Sequence, residues 1–130
     1  MRRTVGMQNN RAILIGNAFP LSLVRSPVRI VPATVAELQS AVAGKSVVSF
    51  WGHANTLAPA EEFCGLSLRP VGERPVLRLN EAALPTLDGW VFTACWILSP
   101  EYADDFRPAP GEVVPVERIV DWQILKMTWE

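Results

Sequence analysis

A short helix with complete start and stop signals lies between two β-rich runs, and this arrangement commits the chain to an α/β architecture. Thr34-Val35-Ala36-Glu37 has capping-box spacing. The threonine hydroxyl accepts from the first turn's backbone while Glu37 reaches back to the Thr34 amide. Val35, Leu38 and Val42 fall on one helical face, and Gly44 supplies the stop. Val28-Arg29-Ile30-Val31 precedes the helix, and Ser46-Val47-Val48-Ser49-Phe50-Trp51 follows it, rich in β-branched and aromatic residues. Ala12-Ile13-Leu14-Ile15, closed by Gly16-Asn17, reads as an earlier buried strand. Strands joined through such a helix predict a right-handed crossover.

The rest of the chain adds elements to that frame. A second helix is expected from about Thr56 to Cys64, capped by Asn55 or Thr56, with Pro59 tolerated in its first turn and Gly65 as its stop. Arg74 to Leu79 reads as a strand, and the nearly all-apolar Gly89 to Leu98 as one central strand. Ser99 to Phe106 reads as an acidic insert with a short helix, and Arg107 to Gly111 as a proline-rich loop. Val116 to Val120 suggests a helical turn, and Trp122 to Trp129 the last strand. The fold class is therefore α/β (α+β): a mixed sheet of about five or six strands flanked by helices.

Composition narrows the function. With 130 residues and 49% apolar content, a single domain over 1–130 can bury a real core. Residues 1–10 are polar, lack the apolar stretch of a secretory signal, and read as a flexible terminus. No apolar run is long enough to span a bilayer, so no membrane partner is expected and the cytoplasm is the expected compartment. Net charge is −1, so strong duplex DNA binding is not expected, and a polyanion would need a local cluster of donors. Cys64 and Cys95 fall in apolar contexts and lack metal-ligand spacing. No cofactor and no metal are expected.

One turn concentrates the chemistry. In Ser49-Phe50-Trp51-Gly52-His53-Ala54-Asn55-Thr56 a strand ends, a glycine permits a sharp turn, and a helix begins. The first helical N–H groups lack internal partners and favour an anion. Gly52 admits close approach of a ligand to the backbone, and Asn55 and Thr56 add donors. His53, the single histidine, stands beside this turn and suits proton transfer at a phosphate. RNA carries its own nucleophile, the 2′-hydroxyl, so its cleavage needs positioning, charge stabilisation and a proton donor. Acyl chemistry is poorly served, because no second histidine is present to activate a nucleophile. Trp51 either stacks on a base or packs at the strand end. Arg25 and Arg29 are further candidate donors.

Several segments resemble, in order, the viral anti-CRISPR ring nucleases, small proteins that dismantle the cyclic tetra-adenylate messenger of type III CRISPR systems. Ile15-Gly16-Asn17-Ala18-Phe19-Pro20 is similar to that family's first strand and "NAF" loop. Ser49 to Thr56 is similar to its "S-x-x-G-H-x-S/N-T" turn, Gly65-Leu66 with Arg69 to Arg74 to its "G-[I/T]-…-N-R" stretch, and Arg107 to Val114 to its "R-L-x-E-G-K-x-L" loop. The resemblance implies a two-fold homodimer enclosing a cyclic oligoadenylate. It also implies metal-independent attack by a ligand 2′-hydroxyl, giving linear di-adenylates. His53 would be the general acid, and Arg107 would contact the scissile phosphate. Asn17, Ala18, Phe19, Gly52, Asn55, Thr56 and Trp51 would line the ligand.

The sequence departs from the family at three points, one of them the bulky Trp51 beside the turn. The position of the family's acidic residue falls on Pro110, with Glu112 displaced from it, and the stretch from Ala94 to Phe106 is longer. Three functions stay open at this point: a ring nuclease, a non-catalytic sponge for a cyclic nucleotide, and a DNA-binding viral protein of the same fold.

Overall fold

The computed structural model describes residues 7–8, 11–52, 54–71, 75–103, 114 and 116–130. Its elements in chain order are β1 (Met7–Gln8), β2 (Ala12–Gly16), β3 (Val28–Ala33), α1 (Val35–Val42), β4 (Ser46–Ser49), α2 (Ala54–Cys64), β5 (Arg78–Leu79), β6 (Pro85–Leu87), β7 (Trp90–Val91), β8 (Ala94–Tyr102) and β9 (Ile119–Trp129). Two 3₁₀ turns, Leu21–Leu23 and Val116–Arg118, interrupt the loops.

The larger sheet has five strands in the order β3-β9-β8-β2-β4. β2 runs parallel to both β4 and β8, while β9 is antiparallel to its neighbours β8 and β3. The sheet is therefore mixed, and four of its strands point the same way. Side chains alternate across it as the pleat requires. Ala12, Leu14, Val48, Cys95, Ile97, Met127 and Trp129 enter one core cluster. Ile15, Trp96, Leu98 and Ile124 enter the other, where Leu38 and Val42 of α1 and Ala60 and Cys64 of α2 pack. Both helices thus cover one face.

The opposite face is covered by something the periodicity of the sequence did not announce. A second sheet of four very short strands, in the order β1-β7-β6-β5, lies there; Leu87 of β6, with Leu77 and Phe92 flanking β5 and β7, enters the first cluster. The molecule has three layers: helices, large sheet, small sheet.

The capping box is present in full, with Glu37 N–H donating to Thr34 Oγ1 at 3.1 Å and Thr34 N–H to Glu37 Oε1 at 2.8 Å. Gly44 and Gly65 adopt φ of 74° and 73°, the left-handed conformation a helix stop requires. The Gln39 side chain donates to the Cys64 carbonyl at 2.8 Å and ties the two helices together.

Other expectations need correction. The Gly89 to Leu98 run is not one strand: it breaks at Phe92-Thr93, and its halves serve different sheets. Among Ser99 to Phe106, residues through Tyr102 continue β8 rather than forming a helix, because β9 offers them a ladder down to Ile119. Residues 104–106 lie outside the described residues. The expected strand from Arg74 narrows to Arg78–Leu79. Separately, Met7 and Gln8 pair in parallel with Trp90 and Val91, which does not test the reading of 1–10 as flexible. That pairing uses backbone groups alone, which composition does not report. Among the described residues, no helix is long and apolar enough to cross a membrane.

Candidate functional site

The parallel strands β2, β4 and β8 deliver their carboxyl ends to one edge of the large sheet, the place where ligands collect in open α/β sheets. At that edge β2 runs into Asn17 and β4 into the turn that opens α2. The connection from β8 to β9 leaves and returns at the same edge.

Asn17 joins two of these ends. Its Oδ1 accepts the Gly52 N–H at 2.7 Å, across a sequence separation of 35 residues. With the oxygen so committed, the amide NH₂ is turned away as a donor. The backbone carbonyl of Asn17 accepts from Ser99 Oγ on β8 at 3.5 Å, a long contact. Ser99 carried no signal in the sequence, because nothing in a lone serine specifies a partner so far away.

Described residues on both sides of the turn are tied by hydrogen bonds. Ser49 is buried; its hydroxyl donates to the Leu68 carbonyl at 2.7 Å and accepts the Trp51 N–H at 3.1 Å. Trp51 is 3% exposed, and its indole N–H donates to Thr56 Oγ1 at 3.1 Å. Its ring belongs to the core cluster beneath the helices, so the structure places it in packing and not on a surface where a base could stack.

Asn55 and Thr56 do not cap α2. The helix already begins at Ala54, so both are inside its first turn. Thr56 is buried with its hydroxyl engaged by Trp51, whereas Asn55 is half-buried. Pro59 is likewise inside the helix and beyond its first turn. By helix geometry the opening N–H groups, those of Ala54 and Asn55 among them, lack intrahelical acceptors. An anion at this edge would meet these groups and the Asn17 amide. The Gly52 amide proton is already held by Asn17.

Gly52 is exposed, and a Cβ there would have only Asn17 Oδ1 near it, at 3.7 Å. The apo fold therefore does not demand glycine at this position; close approach of a ligand would. Gly16 is the opposite case. A Cβ on Gly16 would collide with the ring of Phe50, which is itself buried. Phe19 anchors its loop edge-on against Phe50 (6.4 Å between centroids) and Trp129 (5.3 Å), while Ala18 is exposed.

His53 and Arg107, the expected catalytic pair, lie outside the described residues. What is described is the frame on either side of each: Gly52 and Ala54 flank His53, and Val114 follows the Arg107 segment. Val114 is buried, and its N–H donates to the Asn55 carbonyl in the first turn of α2 at 2.9 Å. Arg25 donates to the Ser22 carbonyl at 2.9 Å. Arg29 lies near the amino end of β3, three strands from β2 and at the opposite edge, so it does not join this site.

The remaining concavities have different chemistry. A groove between α2 and β9, lined by Pro59, Phe63 and Trp122, carries the carboxylates of Glu62 and Asp121 and does not suit a polyanion. Burial pushes the Cys64 thiol up and the Cys95 thiol well up, so both stay protonated and neither is an activated nucleophile. Among the described residues, no three His, Cys, Asp or Glu side chains gather as a metal-binding group.

The fold is that of an α+β protein with a mixed five-stranded sheet, in which the Asn17 loop and the head of α2 meet at the carboxyl edge. Among solved structures, the chain is similar to B116 of Sulfolobus turreted icosahedral virus, with a TM-score of 0.57 and 16% identity, over 92% of this chain and 99% of B116. At that identity the likeness defines the fold alone. No family model matches the chain, and no curated protein matches its sequence.

Proposed function

We propose that the chain is a ring nuclease that binds cyclic oligoadenylate at the carboxyl edge of its large sheet and cleaves it. The observation that carries this reading is the 2.7 Å hydrogen bond between Asn17 and Gly52. It brings together the two segments that most resemble the viral ring nucleases, the "NAF" loop and the "G-H" turn. The fold neighbour is also a virus protein, in keeping with that resemblance.

In the proposed reaction a ligand 2′-oxygen attacks the adjacent phosphorus and the P–O5′ bond breaks. A cyclic 2′,3′-phosphate forms as the 2′-hydroxyl proton passes to solvent water, and His53 gives a proton to the leaving 5′-oxygen. Arg107 and the donors at the head of α2 stabilise charge on the phosphate. The nucleophile belongs to the substrate, so no metal and no protein nucleophile is required. A two-fold homodimer would match the symmetry of the ring.

The test is incubation with cyclic tetra-adenylate in excess chelator. The wild type is expected to give linear di-adenylate, and His53→Ala to be slower by roughly 10²- to 10⁴-fold. Bound but uncut ligand would replace the nuclease with a sponge, and failure to bind would remove both.

A further inference from the structure

Pro59 stands where a proline is ordinarily excluded. It is buried inside α2, which runs Ala54–Cys64, and lies past the first turn where proline is normally accommodated. In an α-helix the carbonyl of residue i accepts from the N–H four residues on. For Asn55 that donor would be residue 59, and proline has no N–H. The pyrrolidine ring also crowds the carbonyl four residues before it. The Asn55 carbonyl is therefore left without the N–H four residues on that would be its helical partner.

That same carbonyl is the acceptor for Val114. The Val114 N–H reaches it at 2.9 Å, and the Val114 side chain is 1% exposed. Val114 lies in the connection from β8 to β9. The outgoing side of that connection is fixed as well, by the Ala103 N–H donating to the Arg118 carbonyl at 2.8 Å.

We propose that Pro59 is a positioning residue: by withholding an amide proton it keeps the Asn55 carbonyl open as the dock for Val114. Val114 is then held at the head of α2, near the turn in which Asn17 accepts from Gly52. The consequence for catalysis rests on the proposed ring-nuclease reading; the docking does not.

Amide hydrogen exchange followed by NMR on the whole protein separates the two. In Pro59→Ala, residue 59 regains its N–H and competes for the Asn55 carbonyl. Exchange at Val114 is expected to accelerate at least tenfold, while that of Leu14 and Ile15 in the central sheet stays as in the wild type. N-methylalanine at position 59, introduced by semisynthesis, also lacks the N–H and is expected to restore slow exchange. With cyclic tetra-adenylate, kcat of Pro59→Ala is expected to fall roughly tenfold or more with KM little changed. Val114 exchange that stays slow in Pro59→Ala, or stays fast in the N-methylalanine protein, overturns the proposal. Wild-type protein that ignores cyclic tetra-adenylate overturns the ring-nuclease reading only, because Val114 exchange still decides the docking.

Discussion

Two glycines at the same edge of the sheet answer to different demands. Gly16 is required by packing, since any Cβ would run into the buried Phe50 ring. Gly16→Ala is expected to cost about 1–3 kcal/mol in denaturant unfolding, the usual range for overpacking. Gly52 has open space where a Cβ would sit, so Gly52→Ala is expected to hold stability within about 0.5 kcal/mol. If ligand lies against this turn, the same substitution weakens binding of cyclic tetra-adenylate; a calorimetric titration beside the unfolding curve reads both. The thiols give a prediction of another kind. Cys95 and Cys64 are raised from 9.0 by burial, and Tyr102 from 10.0. The native state keeps protons that the unfolded chain releases. Their contribution to stability is therefore complete below pH 9 and withdrawn as pH climbs further, so Tm is expected to fall on the alkaline side. Of the residues singled out in the sequence, the Gly52 turn was legible because a strand, a glycine and a helix meet there. The burial of Trp51 was not, because a tryptophan at a strand end reads equally well as core or as platform.

The helix whose signals were complete formed as its signals dictate. Thr34→Ala removes the accepting half of the capping box and is expected to lower stability by about 1 kcal/mol, measured by thermal unfolding. The start of α2 was displaced for a physical reason. Asn55 and Thr56 are both good cap residues, yet the helix is already under way at Ala54, and the Thr56 hydroxyl is taken as acceptor by the buried Trp51 indole N–H. Pro59, which normally costs about 3 kcal/mol in a helix interior, is tolerated where its lost partner carbonyl is taken by Val114. The small sheet stayed hidden because strands of two or three residues carry no readable period. The break in the Gly89 to Leu98 run was hidden for a related reason, since Val91 and Ala94 on either side of it are both apolar.

At the scale of the molecule, the three-layer fold leaves one edge of the large sheet to the proposed ligand site. Helices cover one face of the large sheet and the small sheet covers much of the other, while the carboxyl ends of β2, β4 and β8 meet at an edge crossed by loops. The fold class was legible because the order of strands and helices dictates it. The joining of Asn17 to Gly52 was not, because pairing across 35 residues depends on how strands are ordered in the sheet. The central claim is that this edge receives the ligand. An amide NMR titration with cyclic tetra-adenylate tests it most directly. The account predicts the largest shifts at the Gly52, Ala54 and Asn55 amides and at the Asn17 side-chain NH₂. Shifts confined to the acidic groove of Phe63 and Trp122, or no shifts at saturating ligand, would contradict it.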